Sequence, residues 1–141
     1  MNFYIGSVVK TIVGRCLCGK VSFRFPDKLE YAGYCHCSEC RRFSGSIFSV
    51  TGGIGINEIT IIKGGDSISR YRKTDQSIMC FCKNCGSSLF VEKPLRSMVH
   101  IRFGALEDVP SLEPQAHVFV GSKIPWYKIT DDLPQYEEMP S

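Results

Sequence analysis

The sequence predicts an all-β, mainly antiparallel fold, and three observations carry that reading. Lys20–Phe25 alternates, with Val21, Phe23 and Phe25 on one face and Ser22 and Arg24 on the other, as a half-buried strand does. Short runs rich in β-branched and aromatic residues recur along the chain, bounded by Gly, Pro, Asp or Asn. Only one segment reads as helical, a turn or two over Glu39–Phe43 with Ser38 placed to cap it. Many short strands with turn signals between them fit a sandwich or barrel-like β domain.

In chain order, the strand candidates after Lys20–Phe25 are Tyr31–Cys35, Ser46–Thr51, Ile59–Lys63, Ser69–Arg72, Ser77–Phe81, Ser88–Glu92, Met98–Phe103 and His117–Val120. Gly52-Gly53 and Gly64-Gly65-Asp66 read as turns between them. At 141 residues the chain has the size of one domain, and no linker or repeat divides it, so residues 1–141 are expected to form a single unit. Its 43% hydrophobic and 22% charged residues are those of an ordinary globular protein. No apolar run approaches the ~18 residues of a membrane span, and Asn2–Val13 is interrupted by Lys10 with no basic segment before it, which argues against a signal peptide. A cytoplasmic location is the expectation, where cysteines stay reduced and serve metals or catalysis rather than disulfides.

The eight cysteines fall into three clusters: Cys16-Leu17-Cys18-Gly19, Cys35-His36-Cys37-Ser38-Glu39-Cys40, and Cys80-Phe81-Cys82-Lys83-Asn84-Cys85-Gly86. Tetrahedral zinc needs sulfurs at about 2.3 Å from one ion, and two cysteines one or two residues apart reach it from a single tight turn. Gly19 and Gly86 follow ligand pairs, where a positive φ lets the next N–H turn back toward sulfur. Such a pattern predicts at least one structural zinc. Two partitions stay open. In one, Cys16, Cys18, Cys82 and Cys85 close a four-thiolate site while Cys35, Cys37 and Cys40 form an open, catalytic one. In the other, Cys80 completes the second site and both are structural. Zinc also corrects the formal charge of +3, because two dications on seven thiolates cancel the excess. With no basic run longer than Arg41-Arg42, nucleic acid is not an expected partner. A redox pair is disfavoured, since neither Cys37/Cys40 nor Cys82/Cys85 opens a helix in a thioredoxin-like βαβ pattern.

These segments resemble the glutathione-dependent formaldehyde-activating enzyme family, which includes centromere protein V-like domains. The matching stretches are GRCLCGKVSFRF (Gly14–Phe25), YCHCSECRRFSGS (Tyr34–Ser46), FCKNCGSSLF (Phe81–Phe90) and HVFVGSKIPWYKITDDLPQY (His117–Tyr136), giving a family-like core over 14–136. The resemblance implies a β-tent fold of zinc-stapled antiparallel sheets with one short helical turn. It also implies a structural zinc on Cys16, Cys18, Cys82 and Cys85, and a catalytic zinc on Cys35, Cys37 and Cys40. The activity it implies is the interconversion of glutathione plus formaldehyde with S-hydroxymethylglutathione, a carbon–sulfur lyase reaction. Cys80 departs from the family pattern, so its role stays open.

A zinc on three thiolates carries one net negative charge, and it suits the binding and deprotonation of a substrate thiol that then adds to an aldehyde carbon. Arg41 and Arg42, next to the ligand cluster, are the candidates for the carboxylates of glutathione as co-substrate. Arg70, Arg72 and Lys73 form a second basic group, read as a solvated face. His36, between two ligands, points away from them on an extended segment and reads as packed and hydrogen-bonded. His100 and His117 read as core or edge histidines, and Trp126, Phe43, Phe48 and Phe90 as core. Asp131-Asp132 reads as a turn or cap. The alternative to an enzyme is a zinc-stabilised binding module with two closed sites; a reductase using Cys80 is a third reading.

Overall fold

A computed structural model describes residues 9–140. Of the Asn2–Val13 stretch, residues 2–8 lie outside the described residues. The chain forms ten strands and one α-helix, joined by short 3-10 turns, among the described residues. The strands are β1 (Thr11–Arg15), β2 (Ser22–Pro26), β3 (Tyr31–Cys35), β4 (Ser49–Gly55) and β5 (Thr60–Lys63), with helix α1 (Ser38–Ser44) between β3 and β4. They continue as β6 (Ile68–Thr74), β7 (Ser77–Cys82), β8 (Ser88–Lys93), β9 (Met98–Arg102) and β10 (His117–Val118). A three-stranded sheet runs β1-β2-β5, and a seven-stranded sheet runs β10-β3-β4-β9-β8-β7-β6. Every pairing is antiparallel except β10 on β3. The all-β, mainly antiparallel expectation is therefore met.

The alternation read at Lys20–Phe25 is what joins the two sheets. Phe23 and Phe25 point inward from β2, and the Phe23 ring meets Phe90 of β8 edge-on at 5.5 Å between centroids. Ile12, Leu89, Val99, Ile101, Ile54 and Ile78 fill the same core. Burying each such side chain contributes roughly 1.5–3 kcal/mol, which is what the backbone entropy of so many short strands must be offset against.

Four local expectations change. Gly52-Gly53 is not a turn: β4 runs through both glycines, because the Leu29 and Phe103 side chains and the Tyr31 ring occupy the space their Cβ atoms would need. The cap of α1 is Cys37, whose Sγ accepts the Cys40 N–H at 3.2 Å, rather than Ser38, which is the first helical residue. Trp126 is 67% exposed, in a turn after β10 that no strand covers, and is not core. His117–Val120 is strand only over His117–Val118; a 3-10 turn follows. No described helix is long and apolar enough to cross a membrane.

Candidate metal centres and active site

Cysteine sulfurs gather in two places. Sγ atoms of Cys16, Cys18, Cys82 and Cys85 all lie within 4.8 Å of one another, and so do those of Cys35, Cys37 and Cys40. The first group is brought together by two tight turns, after β1 and after β7, in each of which a glycine (Gly19, Gly86) adopts φ +81°. Because β1 belongs to one sheet and β7 to the other, this group lies across the junction of the two sheets. A tetrahedral ion with ligands at about 2.3 Å places sulfurs roughly 3.8 Å apart. Cys16 and Cys18 are 3.6 Å apart and Cys18 and Cys82 are 3.8 Å apart, so this donor set fits zinc. Donors already face the sulfurs. Asn84 Nδ2 donates to Cys18 at 3.3 Å and holds its thiol below the usual range, and the Ser87 hydroxyl at 3.2 Å draws Cys85 down to about 5.

The second group sits where β3 runs into α1. Cys35 ends the strand, Cys37 caps the helix and Cys40 lies one turn in. Cys37-x-x-Cys40 opens the expected short helix, and β3 and β4 on either side are antiparallel neighbours, not the parallel pair of a βαβ redox unit. The neighbouring Cys35 and Cys40 thiols hold the Cys37 thiol well below its ordinary range, and Cys37 in turn pushes Cys35 up. Three sulfurs within 4.8 Å of one another fit a metal with one position left for another ligand.

Cys80 is in neither group. It is fully buried in the hydrophobic core on β7, its Sγ directed to the Ile78 carbonyl at 3.7 Å, and burial pushes its thiol up to about 12. Cys80→Ser is accordingly expected to leave the zinc content of reduced protein unchanged; loss of one zinc per chain would place Cys80 in a site.

The three cysteines open into a cavity of about 750 Å³. Its wall carries Lys73, Lys93, Arg96 and Arg102 against one carboxylate, Glu39, which is already paired with Lys73. Among the described residues no carboxylate lies within ion-pair distance of Lys93, Arg96 or Arg102. Arg96 donates to the Tyr31 hydroxyl at 3.2 Å, and Tyr31 is 2.8 Å from His100 Nε2. Burial first, then the charges of Lys93, Arg96 and Arg102, hold His100 down to about 4, so it is neutral and takes the Tyr31 proton as acceptor. The unfolded chain binds that proton at the ordinary value near 6.5 and the folded chain resists it, so stability falls as pH drops from about 6.5 toward about 4. A smaller melting-temperature loss across that window in His100→Gln than in the wild type is the expected result; equal losses would contradict it.

Other expected residues lie elsewhere. Arg42 lines a separate cavity of about 1040 Å³ beside the four-cysteine group and donates to the Ser38 carbonyl, while the buried Arg41 Nε has no partner among the described residues. Arg70 pairs with Glu92 and Arg72 with Asp75. His36 does turn away from its flanking cysteines, and is fully buried. Its Nε2 is 2.9 Å from His117 Nδ1, and His117 Nε2 is 2.9 Å from Asp131. Asp131 also accepts the Leu133 N–H, the turn role expected of it. Residues sequence reasoning passed over are Tyr31, Lys93, Arg96 and Arg102, and no motif marks them.

Fold and site together define a class: a two-sheet β protein with a four-cysteine group at the junction of the sheets and a three-cysteine group open to a cationic cavity. The chain belongs to the glutathione-dependent formaldehyde-activating enzyme family, whose model matches residues 11–122. It is 27% identical over 116 residues to a Podospora anserina protein provisionally named as a glutathione-dependent formaldehyde-activating enzyme, covering 78% of this chain and 54% of that one. An uncharacterized lyase of Schizosaccharomyces pombe is 28% identical over 77 residues, 55% of this chain and 54% of that one. The chain thus spans about half the length of these curated relatives. A crystal structure of a Rhodobacter sphaeroides protein superposes with a TM-score of 0.58 at 21% identity, covering 70% of this chain and 91% of that one, which shows a shared fold.

Proposed function

We propose that this chain is a zinc-dependent carbon–sulfur lyase that interconverts glutathione plus formaldehyde with S-hydroxymethylglutathione, in the cavity of Cys35, Cys37 and Cys40. The observation that carries the reading is three thiols facing a cavity whose wall holds cations with no carboxylate partners. Such a wall suits an anionic thiol, and glutathione has two carboxylates. The names borne by the relatives support the same substrates.

Zinc held by Cys35, Cys37 and Cys40 would lower the pKa of a thiol that joins it, favouring the nucleophilic thiolate. The chain's own residues do the rest. Lys93 and Arg96 take the carboxylates, the role sequence proximity suggested for Arg41 and Arg42. Tyr31, held between Arg96 and His100, fixes the direction of the Arg96 fork. In the forward direction the sulfur bonds to the aldehyde carbon, the carbonyl π bond breaks and its oxygen gains a proton; in reverse the C–S bond breaks and the thiol recovers the proton. The addition is intrinsically easy, so holding both reactants in one cavity supplies most of the acceleration.

Zinc-loaded protein with the Lys93→Met and Arg96→Met variants tests the reading. The expected result is a KM for glutathione raised by about tenfold or more in each, from the loss of a charge-assisted hydrogen bond of ~1.5–3 kcal/mol, with the KM for cysteamine, which has no carboxylate, unmoved. Unchanged KM values for glutathione would remove these residues from the substrate site.

A further inference from the structure

Arg102 is a buried cation without an anion. Only 7% exposed at the end of β9, it lies within ion-pair distance of no carboxylate among the described residues, and its Nε has no hydrogen-bond partner. Two contacts hold it. Its Nη1 donates to the Ser49 hydroxyl at 2.8 Å, and its guanidinium carbon stands 5.1 Å above the Phe43 ring. An arginine does not shed its proton to escape burial, as a lysine can. Burying such a charge is costly unless something opposite compensates it.

The register shows what lies opposite. Ser49 is the cross-strand partner of Cys35 in the β3–β4 pair, so the two side chains stand side by side on one face of the sheet. Arg102 is the cross-strand partner of Thr51, two residues along β4 from Ser49, on that same face. Phe43, beneath the guanidinium, is on the helix that carries Cys40. Arg102 also lines the cavity into which Cys35, Cys37 and Cys40 open. Ser49 and Phe43 line the other cavity, which Arg102 also reaches, so the guanidinium stands between the two cavities, on the strand face it shares with Cys35.

We propose that Arg102 is the counter-charge of the three-cysteine centre, a positioning residue that holds the metal-bound form of the group. A dication on three thiolates leaves one net negative charge, which one guanidinium balances, and among the described residues no carboxylate lies within ion-pair distance of Arg102 to compete for it. In the four-cysteine group the thiolates are served by Asn84, Ser87 and backbone donors instead. The inference rests on the reading of the second group as a zinc site, and goes beyond it by assigning the residue that makes that site's charge bearable.

Chelator competition on fully reduced protein tests it, with zinc counted per chain. Wild type is expected to hold two zincs. Arg102→Met, which keeps the bulk and drops the charge, is expected to keep the four-cysteine zinc and bind the other about 10–100-fold more weakly, the usual range for a residue that supports metal ligands from behind. Arg102→Lys is expected to recover most of that loss. A purely packing role would predict the same loss of melting temperature from Arg102→Met in the wild type and in a Cys37→Ser background. The counter-charge predicts a loss in the zinc-loaded wild type and none, or a gain, in Cys37→Ser, where the guanidinium already faces a depleted group. Two zincs bound with unchanged affinity in Arg102→Met would overturn the proposal and leave the zinc reading standing. One zinc in the wild type would overturn both. If Arg102→Met does not fold, Arg102→Lys decides: full second-site affinity supports the charge, and loss as deep as in Arg102→Gln overturns it.

Discussion

Cys82→Ser is expected to unfold the domain. Cys82 is fully buried, and its sulfur lies 3.8 Å from that of Cys18, across the junction of the two sheets. In zinc-finger peptides a structural zinc contributes about 10–16 kcal/mol of apparent binding energy. A whole domain has only ~5–15 kcal/mol of net stability, so losing one of four ligands removes as much as the fold can spare. The three-stranded sheet would keep Phe23 and Phe25 to pack with but lose its metal-ligand tie to β7. Circular dichroism with a zinc count checks this: the expected outcome is loss of a cooperative melt and of the four-cysteine zinc. A Cys82→Ser protein that melts cooperatively near the wild-type temperature would show that the staple is dispensable.

Cys37→Ser is expected to abolish turnover and leave the fold in place. Cys37 is partly exposed at the mouth of α1, away from the Phe23–Phe90 core. A serine hydroxyl can still accept the Cys40 N–H, so the cap survives, at a cost within the ~0.5–2 kcal/mol that caps are worth. What is lost is one of the three sulfurs that gather at the cavity. Turnover within a few-fold of wild type in this variant would contradict the proposed reaction site.

How far the sequence carried is clearest at particular residues. The cysteine spacing was readable because close pairs reach one ion through local turns alone, and the two groups follow those spacings. Strand β2 was readable because its inward positions carry phenylalanines. Strand β1 was not, since its inward residues are Ile12 and Gly14, and the Phe23 ring fills the space where a side chain at Gly14 would have shown the alternation. Gly52-Gly53 misled for the same reason: turn-like residues serve there to let neighbouring rings approach the strand. Arg41 and Arg42 follow Cys40 in sequence, but each helical residue turns about 100° from the last, so adjacency carries them round the helix, and Arg42 lines the other cavity. Tyr31 and His100 meet across 69 positions, and His36 and His117 across 81, through strand pairings that no local motif encodes. Arg102 was legible as a strand residue but not as a buried charge, because its burial depends on where β4 places Ser49.

Exchange spectroscopy by nuclear magnetic resonance, following glutathione and S-hydroxymethylglutathione in the presence of formaldehyde, tests the central claim most directly. Zinc-loaded wild-type protein is predicted to speed the interconversion above the uncatalysed rate, while folded Cys37→Ser leaves it at that rate. A wild-type rate no faster than buffer, with both zincs counted in place, would contradict the account.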